Sequence, residues 1–315
     1  MNFISKIKNF FFASVNDIEK LNLLVGLTLS KLNSNNSWDE ICNYEFSVFS
    51  QWGEDGIIDW LIQQLPIIPK TFIEFGVENY KESNTRFLLK NKNWTGLVID
   101  GSAANIKNIS RQDIFWRHNL KAVQAFISSK NINSLIFDAG FKDDIGILSI
   151  DIDGNDYWVW EAINIVNPAI VVCEYNAVLG DLLPITIPYS ENFVRSKTHF
   201  SNLYFGCSIQ ALISLGIKKG YTFIGTTSTG ANAFFVKENY AHSLKSLLKN
   251  ITAYPSKFRE ARNENGCLQY TSGRDRKELI RELPFLNLNT GKVAPLSSYG
   301  EIYSLNWQKG ESVNL

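Results

Sequence analysis

The chain has 315 residues, enough for one large domain or a domain plus a lobe, and its 45% hydrophobic share fits an ordinary globular core. Its 31 basic residues balance 31 acidic ones, which removes the electrostatic reason to expect a nucleic-acid partner and leaves small molecules or saccharides as substrates. Four dispersed cysteines (Cys42, Cys173, Cys207 and Cys267) contain no C-x-x-C pair, which argues against zinc and a secreted disulfide framework and predicts free thiols in a cytoplasmic protein.

At the N-terminus, Lys6 and Lys8 precede Phe10, Phe11, Phe12 and Ala13, but Asp17, Glu19 and Lys20 soon follow. No stretch approaches the roughly 20 apolar residues that span a bilayer, so no transmembrane segment is expected. Residues 17–32 carry Ile18, Leu21, Leu24, Val25, Leu29 and Leu32 at helical spacing, and 33–37 are a polar break. Residues 1–37 therefore read as a helical arm whose leucine face would suit a homodimer contact. The main domain is expected over 38–249. The tail, 250–315, mixes charge, Gly and Pro and is expected to cap it.

A helix is predicted over 56–64, with Glu54 and Asp55 at its start and Pro66 and Pro69 beyond it. Strands are predicted over 71–75, 96–99, 114–117, 146–150 and 169–173. Helices are predicted over 84–90, 103–109, 123–129, 157–163 and 208–218. Two last strands, 221–225 and 233–236, are close enough to pair antiparallel. Strands alternating with helices predict an α/β fold with a mostly parallel sheet. Residues 179–204 form a long insertion with Pro184, Pro188 and the aromatic Tyr189, Phe193, Phe200 and Tyr204, placed to cover a site.

Ligands of such a sheet bind beyond the carboxyl ends of its strands. The sequence places Glu74 and Gly76, Asp100, Asn119, Asp151 and Asp153, and Glu174 there. A row of acids is unfavourable unless solvated or paired, so a polar cleft is predicted. Gly76 permits close backbone approach, and Asp100 at the second strand end is placed to accept ribose hydroxyls. The dinucleotide fingerprint is missing: Gly76-Val77-Glu78-Asn79-Tyr80-Lys81 holds one glycine, and Glu78 would oppose a pyrophosphate. The same acids would favour the positive sulfonium of S-adenosylmethionine.

Five segments in this order carry a family resemblance: Phe49-Ser50-Gln51-Trp52-Gly53-Glu54-Asp55-Gly56, Phe72-Ile73-Glu74-Phe75-Gly76, Asn84-Thr85-Arg86, Leu97-Val98-Ile99-Asp100-Gly101 and Leu148-Ser149-Ile150-Asp151-Ile152-Asp153-Gly154-Asn155-Asp156. Together they resemble FkbM-like class I methyltransferases, many bacterial members of which belong to surface-polysaccharide gene sets. The resemblance covers 49–236. It implies a Rossmann-like, seven-stranded, mostly parallel sheet with helices on both faces. It also implies S-adenosylmethionine as donor and O-methylation of a sugar, sugar nucleotide or related surface-glycan unit. By the same resemblance Glu74 and Gly76 lie near the methionine part, Asp100 holds the ribose and Asn119 sits beside the adenine. Gln51, Glu54 and Asn84 line the pocket, and Glu78 and Gly101 count with the cofactor residues. The run Val77-Glu78-Asn79-Tyr80 departs from the small or Asp-Gly residues frequent after this glycine in the family.

Asp151-Ile152-Asp153-Gly154-Asn155-Asp156 offers hard oxygen ligands for magnesium, manganese or calcium, and Glu174 on the neighbouring strand would complete a set of Asp151, Asp153 and Glu174. A metal there would hold two sugar hydroxyls and ease the deprotonation of one. Without a metal, Asp151 contacts the cofactor, Asp153 or Glu174 is the general base, and Asp156 caps the following helix. The same Asp-x-Asp would serve a metal-dependent nucleotide-sugar glycosyltransferase, and a non-catalytic S-adenosylmethionine-binding module is the other alternative. His118 reads as structural and His242 as a surface residue; His199, in the insertion, is a further candidate base.

Overall fold

The computed structural model describes residues 3–66 and 68–315, with side chains from 17 onward apart from 245. The N-terminal arm is one helix, α1 (Phe3–Ser34). Its Leu23 and Leu29 pack on Phe46, Phe49 and Phe87 of the main domain. Glu19 of the arm pairs with Arg86 at 3.0 Å and Lys90 at 2.8 Å. The opposite face leaves Ile18, Leu21, Leu24, Val25 and Leu32 exposed. Among the described residues no helix is long and apolar enough to cross a membrane.

The main sheet uses β1 (Thr71–Phe75), β2 (Thr95–Asp100), β3 (Leu120–Gln124), β4 (Asp143–Ile150) and β5 (Val166–Glu174). After the short β6 (Ile185–Thr186) in the insertion, β7 (Tyr221–Thr226) and β8 (Asn232–Lys237) complete it. The order is β3-β2-β1-β4-β5-β8-β7. The first five strands are parallel, and β8 runs antiparallel to both β5 and β7. This is the Rossmann-like, seven-stranded, mostly parallel sheet that the resemblance implies.

Helices cover both faces: α2 (Glu54–Gln64), α3 (Arg86–Lys92) and α4 (Ala103–Ser110) pack on one, with α5 (Asp113–Arg117) beyond them. On the other lie α6 (Ile132–Asp138), α7 (Asp156–Ala162) and, past the short α8 (Arg195–Thr198), α9 (Ile209–Lys218). Alternate strand residues serve the two layers, Phe72 and Val98 one side and Ile73 and Leu97 the other. Burial on both faces is why these strands read as continuous apolar runs.

Two expectations need correction. Residues 114–117 belong to α5, with Ile114 its one buried side chain. The third strand is β3, further along. The helix expected over 123–129 is α6, over 132–138 instead. β3 is an edge strand whose only buried residue is Leu120, so it lacks the apolar density that marks the central strands.

The tail is folded. Its β10 (Pro284–Asn287) pairs with β6 of the insertion and with β11 (Lys292–Pro295), so insertion and tail share a second sheet. The tail also contributes β9 (Thr252–Ala253), paired with the terminal β12 (Val313–Asn314).

Asp55 locks the turn that leads into α2. One of its oxygens, Oδ2, accepts the backbone N–H groups of Val48, Phe49 and Ser50 at 2.8, 2.6 and 2.9 Å. Its other oxygen is buried without a partner, and burial pushes its pKa up to about 7 despite those donors. The folded state therefore holds a proton that an unfolded aspartate, with a pKa of about 3.9, has released. With more protons bound in the folded state, the stability this group contributes falls as pH rises from about 4 to about 7. Asp55→Asn keeps the acceptor and removes the titration, so the slope of Tm against pH should flatten across that window. A slope equal to the wild type's would overturn the assignment.

Candidate active site

A cleft of about 790 Å³ opens above the carboxyl ends of β1, β4 and β5, within the size range of a small-molecule site. β1 feeds β2 and β3 on one side, whereas β4 and β5 lie on the other. The cleft thus sits at the switch point where an open α/β sheet binds its ligands. Its floor is Glu74, Gly76, Asp151 and Glu174, with Gln51, Trp52 and Glu54 from the approach to α2 and Asn84 beside them. The insertion adds Phe193, Arg195 and Asn202, and the tail adds Phe258, Arg259, Glu260 and Arg262.

Gly76 has φ +70°, and a Cβ there would lie 1.6 Å from the Asp151 carbonyl oxygen. The glycine allows the turns after β1 and β4 to cross. Glu74 is buried and braces the segment 83–85, accepting from Ser83 Oγ at 2.6 Å, from the Asn84 N–H at 2.8 Å and from Thr85. Burial raises its pKa, and those donors oppose the rise. Asn84 in turn donates to Ser149 Oγ on β4 at 3.1 Å. Glu54 accepts from the Trp52 N–H at 2.9 Å and from Asn232 Nδ2 at 2.8 Å. Gln51 is exposed at the rim.

Asp100, Gly101 and Asn119 do not line this cleft. The Asp100 carboxylate accepts from the Glu78 N–H at 2.8 Å, the Ser102 N–H at 2.8 Å and Asn105 Nδ2 at 3.0 Å. A buried carboxylate takes the nearest donors, so Asp100 holds the left-handed Glu78 (φ 47°) and the start of α4. Glu78 itself does reach the cleft. Asn119 precedes β3 and donates to Thr95 Oγ1 at the start of β2, at the opposite edge of the sheet. The mistaken third strand caused that error, and Asn119 cannot stand beside a cofactor bound over the carboxyl ends.

The chemistry concentrates at Asp151 and Glu174. Carboxylate oxygens of Asp151, Asp156 and Glu174 lie within 4.8 Å of one another. This replaces the expected set of Asp151, Asp153 and Glu174. Asp153 adopts φ 56° and is directed instead at Arg195 Nη1, 2.7 Å away. Asp156 opens α7 and accepts the N–H groups of Ile152 and Gly154, both at 2.8 Å, bracing the whole turn. Burial pushes its pKa to about 6. Burial, then the neighbouring acids, raise Asp151 well above the ordinary carboxylate range. Glu174 is raised likewise by burial and then by Asp151, while Arg195 opposes the rise. Its Oε2 is buried without a partner.

Arg195, from α8 in the insertion, carries no warning in the sequence. Its guanidinium meets Asp153, Glu260 at 3.0 Å and Glu174 at 3.8 Å, and it lies over the Phe205 ring at 3.5 Å. Glu260 also binds Arg276 at 2.8 Å, so one ion-pair chain ties floor, insertion and tail together. His199 bonds Ser201 Oγ through Nδ1 at 2.8 Å and lies outside the cleft lining.

The three acids are hard-oxygen donors of the kind magnesium or manganese takes. However, both Asp156 oxygens already hold backbone amides, and Arg195 already brings compensating charge to Glu174. The group is therefore a poor fit for a metal.

No protein-family model and no curated protein sequence matches this chain significantly. Among solved structures, the N-terminal domain of EvdMO1 with SAH bound is similar at 9% identity over 58% of this chain and 79% of that one, with a TM-score of 0.38. An S-adenosylmethionine-dependent methyltransferase from Clostridium acetobutylicum is similar at 10% identity over 58% and 90%, TM-score 0.37. An O-methyltransferase from Bacillus cereus in complex with SAH is similar at 11% identity over 69% and 90%, TM-score 0.40. Likenesses this weak carry no argument about chemistry, which rests on the cleft itself.

Proposed function

We propose that this protein is an S-adenosylmethionine-dependent methyltransferase that methylates an oxygen of a sugar, sugar nucleotide or related surface-glycan unit. The observation that carries the reading is the half-buried Asp151–Glu174 pair on the floor of an acid-lined cleft at the switch point of the seven-stranded sheet. S-adenosylmethionine, when bound, supplies a methyl group on a positive sulfonium that an acceptor oxygen can displace. Glu74, Glu54 and Glu78 make the β1 side of the cleft negative, which favours that charge. Gly76 and Asn84 hold the cofactor side at close range. On the acceptor side Glu174, which lines the cleft, takes the hydroxyl proton. Its raised pKa brings it nearer neutral pH, where a carboxylate is a better proton acceptor. Arg195 positions Asp153 and Glu174 and moderates their repulsion.

Binding and chemistry separate in two measurements. S-adenosylhomocysteine at one hundred times its Kd should stabilise the chain by about 2.7 kcal/mol, a Tm rise on the order of 5 °C. Methyl transfer to activated sugars should then follow. An unchanged Tm with S-adenosylhomocysteine, and a rise with a nucleoside diphosphate plus manganese, would favour a glycosyltransferase instead. Binding without transfer would leave a recognition module.

A further inference from the structure

The tail wall of the cleft differs in charge from its floor. Glu260 is used twice over, by Arg195 and Arg276. Arg259 and Arg262 line the same wall and have no carboxylate partner among the described residues. Arg259 donates to the Leu268 carbonyl at 3.0 Å and lies over the Tyr270 ring at 4.0 Å. Arg262 donates to the Gly266 carbonyl at 2.8 Å. Each contact steadies the guanidinium and uses one of its five N–H donors. Trp52 and Phe258, also in the lining, stack at 5.2 Å between centroids and 18° between planes.

We infer that Arg259 and Arg262 form an anion subsite for the phosphate of the acceptor, which makes the substrate a phosphorylated sugar or sugar nucleotide. The inference rests on the methyltransferase reading and narrows its acceptor. Guanidinium forks match phosphate oxygens in geometry as well as charge. Held there, the acceptor keeps its phosphate at the tail wall and its sugar free to turn toward Glu174 on the floor. The Trp52–Phe258 pair offers a flat apolar surface beside it for a nucleoside base.

The test is calorimetric titration of the full chain, with and without S-adenosylhomocysteine. The ligands are glucose, glucose 1-phosphate, uridine diphosphate glucose and inorganic phosphate. Both phosphorylated sugars should bind, more weakly as salt rises, and glucose should bind at least tenfold less tightly. Arg259→Gln and Arg262→Gln should each weaken the phosphorylated ligands about tenfold. The double variant Arg259→Lys, Arg262→Lys, which keeps the charge but not the fork, should recover only part of that loss. Tighter binding of uridine diphosphate glucose than of glucose 1-phosphate would identify a nucleotide acceptor. Equal affinity for glucose and glucose 1-phosphate, inorganic phosphate binding as tightly as glucose 1-phosphate, or Gln variants that bind like the wild type would each overturn the subsite. Loss of S-adenosylhomocysteine binding in the wild type counts against the cofactor reading instead, and the titrations without it still read the arginine pair.

Discussion

Replacing Glu174 with Gln should lower kcat by roughly 10²–10⁴-fold, the range set by removing a general base, while S-adenosylhomocysteine binds within threefold of the wild type. Glutamine has the same shape and keeps a carbonyl oxygen, but it cannot take a proton. Glu174 is on the floor at the end of β5, with β4 between it and the β1 turn proposed to hold the cofactor. The same variant should change the pH profile. Burial raises both Asp151 and Glu174 above the ordinary carboxylate range, with Asp153 and Asp156 adding to the rise of Asp151 and Asp151 to that of Glu174. The base must be ionised, so wild-type turnover should rise with pH along a limb above that range and fall as pH drops through it. In Glu174→Gln any residual activity should lose the limb. A variant with wild-type kcat, or with the limb unchanged, would remove Glu174 from the chemistry.

Most of the sheet could be read directly because its central strands are buried on both faces. Runs such as 146–150 and 169–173 leave little else for so many apolar residues to do, and β4 and β5 extend only a few residues beyond them. The edge was harder. Ile114, Phe115 and Trp116 are more apolar than Leu120, Lys121 and Ala122, yet the latter pair with β2. One hydrogen-bonded neighbour is enough to make an edge strand, and that pairing leaves almost no trace in composition. Glu74, Gly76, Asp151 and Glu174 were legible as cleft-lining residues because strand ends predict one edge of the sheet. Arg195 was not, since its partners Asp153, Glu174 and Glu260 are far from it in sequence and meet it only after the insertion folds back. Asp156 looked like a helix cap because of its position. Its role in bracing Ile152 and Gly154 depends on how tightly that turn closes.

Gly76→Ala should have the largest structural effect of any single methyl group in the cleft. The residue stands at φ +70°, where a side chain costs about 1–2 kcal/mol. The added carbon would lie 1.6 Å from the Asp151 carbonyl oxygen and 2.8 Å from its carbon. Backbone cannot yield as the tip of a flexible side chain does, so one of the two crossing turns must move. The expected loss is at least about 3 kcal/mol, the size of other changes that break a constrained backbone site. Displacement would spread in two directions. On the β1 side it reaches Glu78, whose N–H rests on Asp100. On the β4 side it moves the Asp151 carboxylate relative to Glu174. Gly76→Ala should therefore lose S-adenosylhomocysteine binding and turnover together, and its Tm should fall by several degrees. Gly101→Ala is the control, because a Cβ there would meet nothing closer than 3.7 Å and both properties should stay near the wild type. If Gly76→Ala kept its cofactor affinity, the crossing of the two turns would be a packing detail, and the cofactor would have to be held elsewhere in the cleft.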